Sequence, residues 1–258
     1  MRLRQQLLTR NECYITGKTI RPKGVMVHST GANNPRVARY VPGDDEIGRN
    51  SGGSHWDQPG KLCVHAFIGK FADGGVGTVQ TLPWNRRAWH CGSGRKGSGN
   101  DTHISFEICE DGLSDPGYFQ AVYREAVELT AYLCQQFGLD PLADGVVICH
   151  AEGHRRGIAS NHGDVLHWWP KFGKTMDDFR ADVARSMKGE DDEMSYEQFK
   201  EYMDRYEKER AALPAPAWAE KTGEWDRAHS AGITADLSRP QSPATRVEVA
   251  AMILRAGK

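Results

Sequence analysis

Five short apolar runs, rich in β-branched and aromatic residues, recur through the first 150 residues and favour a fold built around a β-sheet. Each run has the length of a single strand and is separated from the next by glycine, proline or polar residues. This pattern therefore predicts a sheet in the first part of the chain. The predicted strands span residues 24–28, 62–68, 77–82, 104–109 and 146–150.

Apolar residues at helical spacing predict two helices in the same part of the chain. The first helix spans residues 118–137 and is followed by Gly138, which is positioned as a C-terminal stop. The second spans residues 175–187. Because strands and helices are interspersed, we expect an α/β domain with a mixed central sheet flanked by helices. The apolar stripes comprise Phe119, Val122, Ala126, Leu129, Leu133 and Phe137 in the first helix, and Met176, Phe179, Val183 and Met187 in the second.

A charged stretch at residues 188–193 interrupts this pattern and is typical of a solvated linker. We therefore predict a first domain over residues 1–187, a linker over 188–194 and a small all-α module over 195–258. The last forty residues can bury little core by themselves, so we expect them to pack on a neighbour, on the helix that begins at Ser195, or on copies from other chains.

Three helices are predicted in the C-terminal module. Ser195 with Gln198 forms a capping-box pattern that begins the first helix, and the spacer 213–217, which contains two prolines, ends it. A second helix is expected around 218–229 and a third after Thr245. The apolar face of the first helix comprises Phe199, Tyr202, Met203 and Tyr206.

Composition narrows the range of partners. The 258 residues carry 33 lysines and arginines against 34 aspartates and glutamates, so no bulk charge favours nucleic acid. The first ten residues lack the apolar core of a signal peptide, and no run is long enough to cross a bilayer, so we expect synthesis in a cytoplasm and no membrane insertion. Six cysteines without a C-x-x-C pair are expected to be buried thiols.

Two histidines stand where strands are predicted to end. His28 closes the first run and His150 the last, and Asp164 follows shortly after. Two imidazoles and a carboxylate are the donor set of a catalytic zinc site with one position left open. A single histidine at such a place is more often a satisfied core residue, but two of them with a nearby carboxylate favour the metal.

Glu107 lies on a predicted strand with a polar front. Alternation along residues 104–109 places His103, Ser105 and Glu107 on one face of the strand and apolar side chains on the other. A lone glutamate there is consistent with a solvent-facing edge strand. With two histidines at the rim of the same sheet, we instead expect Glu107 to be catalytic.

These segments together resemble the zinc-dependent type 2 N-acetylmuramoyl-L-alanine amidases, which share a fold with the peptidoglycan recognition proteins. The resemblance covers roughly residues 10–185. Many members are phage or prophage endolysins, which implies a protein made in the bacterial host cytoplasm that acts on the cell wall after release. The resemblance is carried by Met26-Val27-His28-Ser29-Thr30-Gly31, Ala88-Trp89-His90-Cys91-Gly92, Ile104-Ser105-Phe106-Glu107-Ile108, and His150 followed by Asp164.

The resemblance implies roles for individual residues. His28, His150 and Asp164 would bind one zinc ion, Glu107 would be the catalytic base, and the bond cleaved would join N-acetylmuramic acid to L-alanine. The family commonly has a lysine two residues before the third ligand, where this chain has His162. His162 is therefore expected to stabilise the oxyanion, with the alternative that His162 binds the zinc and Asp164 orients it.

Other residues are expected to line a groove for peptidoglycan. His65, Trp89 and His90 are the candidates for substrate binding, with Trp89 equally compatible with the core. The wider spacing between His150 and Asp164 predicts an enlarged loop that contains His154. The alternatives to an enzyme are a module of the same fold that binds peptidoglycan without cutting it, and a protein with a purely structural zinc.

The C-terminal module resembles a single S-layer homology repeat, a unit that binds secondary cell-wall polymers. The similarity involves Trp218-Ala219, Gly232-Ile233-Thr234 and the run 244–250. Such repeats usually act in threes. The resemblance therefore implies either binding to the wall polymer through residues 218–256 or homo-oligomerisation.

Overall fold

Six strands form one mixed sheet in the computed structural model, in the order β1-β4-β3-β5-β2-β6. Among the described strands, β3 and β4 are antiparallel and every other neighbouring pair is parallel. Helices flank the sheet, so the predicted α/β class is confirmed. The strands are β1 (Leu3–Gln5), β2 (Gly24–Asn33), β3 (Ala66–Lys70), β4 (Val76–Gln80), β5 (His103–Glu110) and β6 (Val147–Cys149).

The structure describes residues 1–50, 55–189, 196–214, 217–233, 249–250 and 252–253. Contacts along the chain divide it into two units, Met1–Asp191 and Asp192–Lys258. In the described ranges, no helix combines the length and the apolar character that crossing a bilayer requires. All six cysteines are buried and free, as predicted.

The two long helices of the first unit have the predicted limits within two residues. In α2 (Pro116–Phe137), Asp115 accepts hydrogen bonds from the first turn, and Gly138 ends the helix in a left-handed conformation with a φ of 63°. In α4 (Met176–Met187), the side chain of Thr175 caps the first turn. The remaining helices of this unit are α1 (Glu12–Ile15), α3 (His150–Arg156) and the 3-10 turns Val37–Arg39, Gly99–Asp101 and Trp169–Phe172.

Alternation along the strands gives the sheet two different faces. Ile104, Phe106 and Ile108 of β5 lie in one core cluster with the buried side chains of α2 and α4. Phe67, which pairs with Glu107 across β3 and β5, lies in a separate cluster. The face opposite α2 is therefore the one that carries Glu107, as the alternation of apolar and polar residues predicted.

The structure changes several boundaries around the two histidines. Strand β2 continues five residues beyond the predicted end, so His28 lies in its interior. Strand β6 ends at Cys149, and His150 is the first residue of α3. The predicted strand 62–68 begins only at Ala66, because the preceding residues form an isolated bridge between Cys63 and Trp89.

The loop predicted between His150 and Asp164 is shorter than expected, because its first part, as far as Arg156, belongs to α3. Glu152 accepts a hydrogen bond from the backbone N–H of Cys149, which satisfies a donor at the helix start. Gly157, with a φ of 78°, ends the helix. His154 is therefore a helical residue, and its Nδ1 lies 3.2 Å from the carbonyl oxygen of Ala159.

The second unit contains α5 (Tyr196–Ala211), α6 (Ala217–Thr222) and α7 (Glu224–Ser230). The single helix predicted around 218–229 is thus two helices, because Gly223 adopts a left-handed φ of 63° between them. Tyr202 and Tyr206 of α5 are each about half exposed. The predicted cap at Ser195 and the helix start at Thr245 lie outside the described residues.

Replacing Gly24 with alanine is expected to lower the free energy of unfolding by about 1–3 kcal/mol, the usual cost of overpacking. A Cβ at Gly24 would lie 2.2 Å from the carbonyl oxygen of Val146 and 2.8 Å from the ring of His103, so β2 would have to move away from β6. Urea unfolding of the metal-free protein measures the change. Gly163→Ala is the control, since a Cβ there meets nothing within 4 Å. Equal stabilities of the two variants would contradict the prediction.

Candidate metal and catalytic site

Three potential metal ligands converge from separate segments. His28 comes from β2, His150 from the start of α3, and Asp164 from the segment that follows α3. Nδ1 of His28 lies 3.1 Å from Oδ2 of Asp164 and 3.1 Å from Nδ1 of His150. The third side of this triangle, from Nδ1 of His150 to Oδ2 of Asp164, is 3.6 Å. Both histidines are buried.

This donor set fits a zinc ion. Zinc in proteins is bound by imidazole nitrogen and carboxylate oxygen at about 2.0–2.2 Å in a tetrahedral arrangement, which places neighbouring ligand atoms about 3.3 Å apart. The observed separations of 3.1, 3.1 and 3.6 Å bracket that value. Three protein ligands leave the fourth tetrahedral position open, which is typical of catalytic rather than structural sites.

The charges around the site favour a cation. Burial lowers the pKa of His28, against the opposing influence of Asp164, so the imidazole is held in the neutral form that binds metals. Burial alone would raise the pKa of Asp164, but the adjacent imidazoles of His150 and His28 keep it below its usual range. The carboxylate is therefore ionised.

Each histidine uses its second ring nitrogen in a contact with the protein. Nε2 of His28 lies 2.9 Å from Nδ1 of His90, and Nε2 of His150 lies 3.2 Å from Oγ of Ser160. Once a metal binds both Nδ1 atoms, these Nε2 atoms are the ones that carry hydrogen. They therefore donate to His90 and Ser160.

Glu107 lies beside the triangle. It is directly opposite His28 in the pairing of β2 with β5. Its Oε2 atom is buried and has no hydrogen-bond partner in the described part of the chain. Burial, together with the charges of Asp164 and Glu110, raises the pKa of Glu107 well above its usual value. A raised pKa suits a carboxyl group that takes up and releases a proton during catalysis.

His162 occupies a different place from Asp164. Its exposed ring stacks on the ring of His150, with the ring centres 4.7 Å apart and an angle of 17° between the planes. His162 is not one of the three converging donors among the described residues. The structure thus groups Asp164 with the two histidines and leaves His162 at the outer side of His150.

The three residues expected to bind substrate are in different environments. Trp89 is 42% exposed, with the guanidinium of Arg87 5.5 Å from its ring centre. His90 is buried against His28. His65 is completely buried and does not reach the site, since its ring nitrogens lie 3.1 Å from the hydroxyl of Ser105 and 2.7 Å from the carbonyl of Arg86. Burial lowers its pKa to about 4.

Ser160 belongs to the surroundings of the site, although no sequence pattern indicates it. Ser160 contacts His150, and it also lines a cavity of about 500 Å³ between the loop at residues 93–95 and the end of α3. Arg95 and Arg155 line the same cavity. No sequence motif marks a serine at this position, because its role depends on the turn that follows α3.

One protein family matches most of the first unit. Residues 18–166 match the Amidase_2 family, described as N-acetylmuramoyl-L-alanine amidase. The chain is 41% identical over 61 residues to the N-acetylmuramoyl-L-alanine amidase CwlA of a Bacillus species, and 40% identical over 60 residues to the amidase XlyB of Bacillus subtilis. These segments cover 24% and 23% of this chain, and 24% and 19% of the relatives. The matches thus span a quarter or less of these curated relatives.

Solved structures share the fold. A mutant form of PlyL superimposes with a TM-score of 0.50 at 22% identity, covering 71% of this chain and 98% of PlyL. The Staphylococcus aureus hydrolase AmiA, in complex with its ligand, superimposes with a TM-score of 0.51 at 16% identity, covering 72% of this chain and 83% of AmiA. Because the family match spans more than half of the chain and includes Glu107 and all three converging donors, the chain belongs to the Amidase_2 family of N-acetylmuramoyl-L-alanine amidases.

Proposed function

We propose that this protein is a zinc-dependent amidase that hydrolyses the bond between the lactyl group of N-acetylmuramic acid and L-alanine in peptidoglycan. The observation that carries the proposal is the triangle of His28, His150 and Asp164 beside Glu107, whose Oε2 atom is buried. Membership of the amidase family supports the choice of peptidoglycan as substrate.

The residues of the site have separate tasks in this reaction. Zinc, when bound by His28, His150 and Asp164, supplies Lewis acidity that polarises the scissile carbonyl and makes water acidic enough to react near neutral pH. Oε2 of Glu107 accepts the proton of the attacking water and returns it to the leaving amine. His162 lies next to His150, where a protonated ring donates a hydrogen bond to the developing oxyanion.

The surroundings of the site suit a glycopeptide. The exposed ring of Trp89 offers a flat surface on which a sugar can stack, and Arg95 and Arg155 at the cavity offer positive charge for carboxylates. His65 and His90 are not retained as substrate contacts, because both are buried and in contact with protein atoms.

Replacing His162 with lysine is expected to extend activity to more alkaline pH. Imidazolium ions generally lose their proton near neutral pH, whereas an ammonium ion keeps its charge well above it. The variant therefore places at this position a donor that keeps its charge at alkaline pH. Rates of peptidoglycan hydrolysis across a pH series measure the difference. If the pH–rate profiles of the wild type and the variant superimpose on their alkaline sides, the oxyanion role of His162 is contradicted.

Mass spectrometry of digested peptidoglycan tests the proposed function. An amidase frees L-alanine amino termini, whereas a glycosidase frees reducing sugar ends. Intact walls after treatment with zinc-loaded protein would favour the alternative, a module that binds peptidoglycan without cutting it. His150→Ala protein, which lacks one of the three donors, serves as the inactive control.

We further propose that the chain is a phage or prophage endolysin that acts on the wall after release, with residues 1–187 as the catalytic domain, 188–194 as a linker and 195–258 as a wall-binding or self-associating module. The half-exposed Tyr202 and Tyr206 of α5 leave apolar surface available for association. Binding of residues 218–256 to a secondary wall polymer rests on their resemblance to an S-layer homology repeat. Sedimentation of the full chain with purified wall polymer tests that part.

A further inference from the structure

One short loop segment, residues 90–92, reaches both histidines of the metal site. The ring of His90 contacts Nε2 of His28. The carbonyl oxygen of the next residue, Cys91, accepts hydrogen bonds from the backbone N–H and the hydroxyl of Ser160, at 2.8 and 3.1 Å. Ser160 in turn contacts Nε2 of His150 at 3.2 Å.

A buried asparagine holds this segment in place. Asn100 is completely buried, and its Oδ1 accepts hydrogen bonds from the backbone N–H groups of His90 and Cys91, at 2.8 and 3.1 Å. Its Nδ2 donates to the carbonyl of Gly92 at 3.0 Å. The segment is thus bonded on three consecutive residues by a single side chain, which leaves it little freedom to shift.

We propose that residues 90–92 form one positioning element that orients both histidine ligands, acting on His28 through His90 and on His150 through Ser160. This inference rests on the proposed zinc site. It assigns to His90, which the sequence analysis placed in the substrate groove, the task of holding a ligand. Ser160 has the corresponding task at the second ligand.

The hydrogen positions support this assignment for His28. A nitrogen that binds a metal carries no hydrogen, so Nε2 of His28 is the protonated atom and Nδ1 of His90 accepts its hydrogen bond. Nδ1 of a neutral His90 is therefore unprotonated and its hydrogen lies on Nε2. That Nε2 atom is buried without a partner among the described residues. An unsatisfied buried donor costs free energy, which is consistent with a residue whose orientation serves the metal site.

The same reasoning applies to His150. Nε2 of His150 donates to Oγ of Ser160, and Ser160 uses its own hydrogen for the carbonyl of Cys91. The hydroxyl group can accept from the imidazole because its hydrogen is committed elsewhere. With the hydroxyl hydrogen on the carbonyl of Cys91, the chain runs from His150 through Ser160 to Cys91 and leaves Nδ1 of His150 free to bind metal.

Zinc affinity of the purified full chain, measured by competition with a chromogenic chelator, tests the proposal without a measurement of catalysis. Ser160→Ala removes the acceptor of His150, and His90→Leu removes the acceptor of His28. Loss of such a partner typically weakens metal binding about 10–100-fold, which is the expected result for each variant. His90→Asn places an amide oxygen where Nδ1 of the ring lies, and we expect it to recover most of the affinity that His90→Leu loses.

Thr81→Val is the matched control. Thr81 is buried in the same unit, and its hydroxyl donates to the carbonyl of Val64 at 2.7 Å, as that of Ser160 does to Cys91. It should lower thermal stability to a similar extent as Ser160→Ala and leave zinc affinity unchanged.

The outcomes separate this inference from the proposed function. Suppose that the wild type binds one zinc ion and that Ser160→Ala and His90→Leu bind zinc as tightly as Thr81→Val. That result would overturn the positioning role alone. A wild type that binds no zinc would overturn the zinc site and this inference together. Weaker zinc binding by Ser160→Ala and His90→Leu, with recovery in His90→Asn, would support the positioning role. A general loss of stability would not be reversed by restoring an atom that accepts the hydrogen bond from His28.

Discussion

Replacing Asp164 with alanine is expected to abolish both zinc binding and hydrolysis of peptidoglycan. Oδ2 of Asp164 lies 3.1 Å from Nδ1 of His28 and 3.6 Å from Nδ1 of His150, so its loss leaves two neutral nitrogens and no negative charge to hold a divalent ion. Loss of a hydrogen-bond partner of a metal ligand typically weakens metal binding about 10–100-fold. Loss of Asp164, itself a ligand, should lower zinc affinity by more than this. Metal content after gel filtration and chelator competition measure the effect.

His162→Ala is the matched control, because His162 is the other candidate for the third ligand. It stacks on His150 without joining the converging donors, so the variant should keep its zinc. The rate of peptidoglycan hydrolysis by this variant should still fall about 100–1000-fold, the usual cost of losing an oxyanion donor. Loss of zinc in His162→Ala with retention in Asp164→Ala would reverse the two assignments.

Much of this site could be predicted because it depends on strand periodicity. Alternation along β5 separated Glu107 from the apolar Ile104, Phe106 and Ile108, and the core clusters show the same division. Similarly, Gly138 predicted the end of α2 because glycine readily adopts the left-handed conformation found there. These features follow from residues close together in sequence.

The contacts of His90 and Ser160 could not be predicted in the same way. His90 meets His28 across 62 positions of sequence, and Ser160 meets Cys91 across 69. Both contacts depend on a loop whose course is set by Asn100, and loop geometry has no periodic signal. Its position in a motif alone therefore predicts His90 in the substrate groove.

The choice between His162 and Asp164 was open for a related reason. The two residues are two positions apart after α3, and either spacing suits a third zinc ligand. What separates them is backbone direction, which turns the carboxylate towards the histidines and the imidazole onto the outer side of His150. Residue type alone does not determine that direction.

Replacing Glu107 with glutamine is expected to reduce the rate of hydrolysis about 100–10,000-fold, the usual contribution of a general acid or base. Glutamine has nearly the shape of glutamate but cannot take a proton from water and return it to the leaving amine. Glu107 is not one of the three converging donors, so zinc affinity should stay close to that of the wild type. Full activity of Glu107→Gln in the product assay would remove Glu107 from the mechanism.

The same substitution should stabilise the metal-free protein, which distinguishes a lost catalytic group from a damaged fold. Because burial raises the pKa of Glu107 above its usual value near 4.5, the folded state favours the protonated form. The contribution of Glu107 therefore lowers the free energy of unfolding of the wild type as pH rises from about 4.5 towards the raised pKa, and this loss persists above that pKa. Glutamine carries no such penalty, so the melting temperature of Glu107→Gln should exceed that of the wild type at neutral pH and approach it in acid. A lower melting temperature at neutral pH would mean that the ionised carboxylate stabilises the fold, contrary to its unpartnered Oε2.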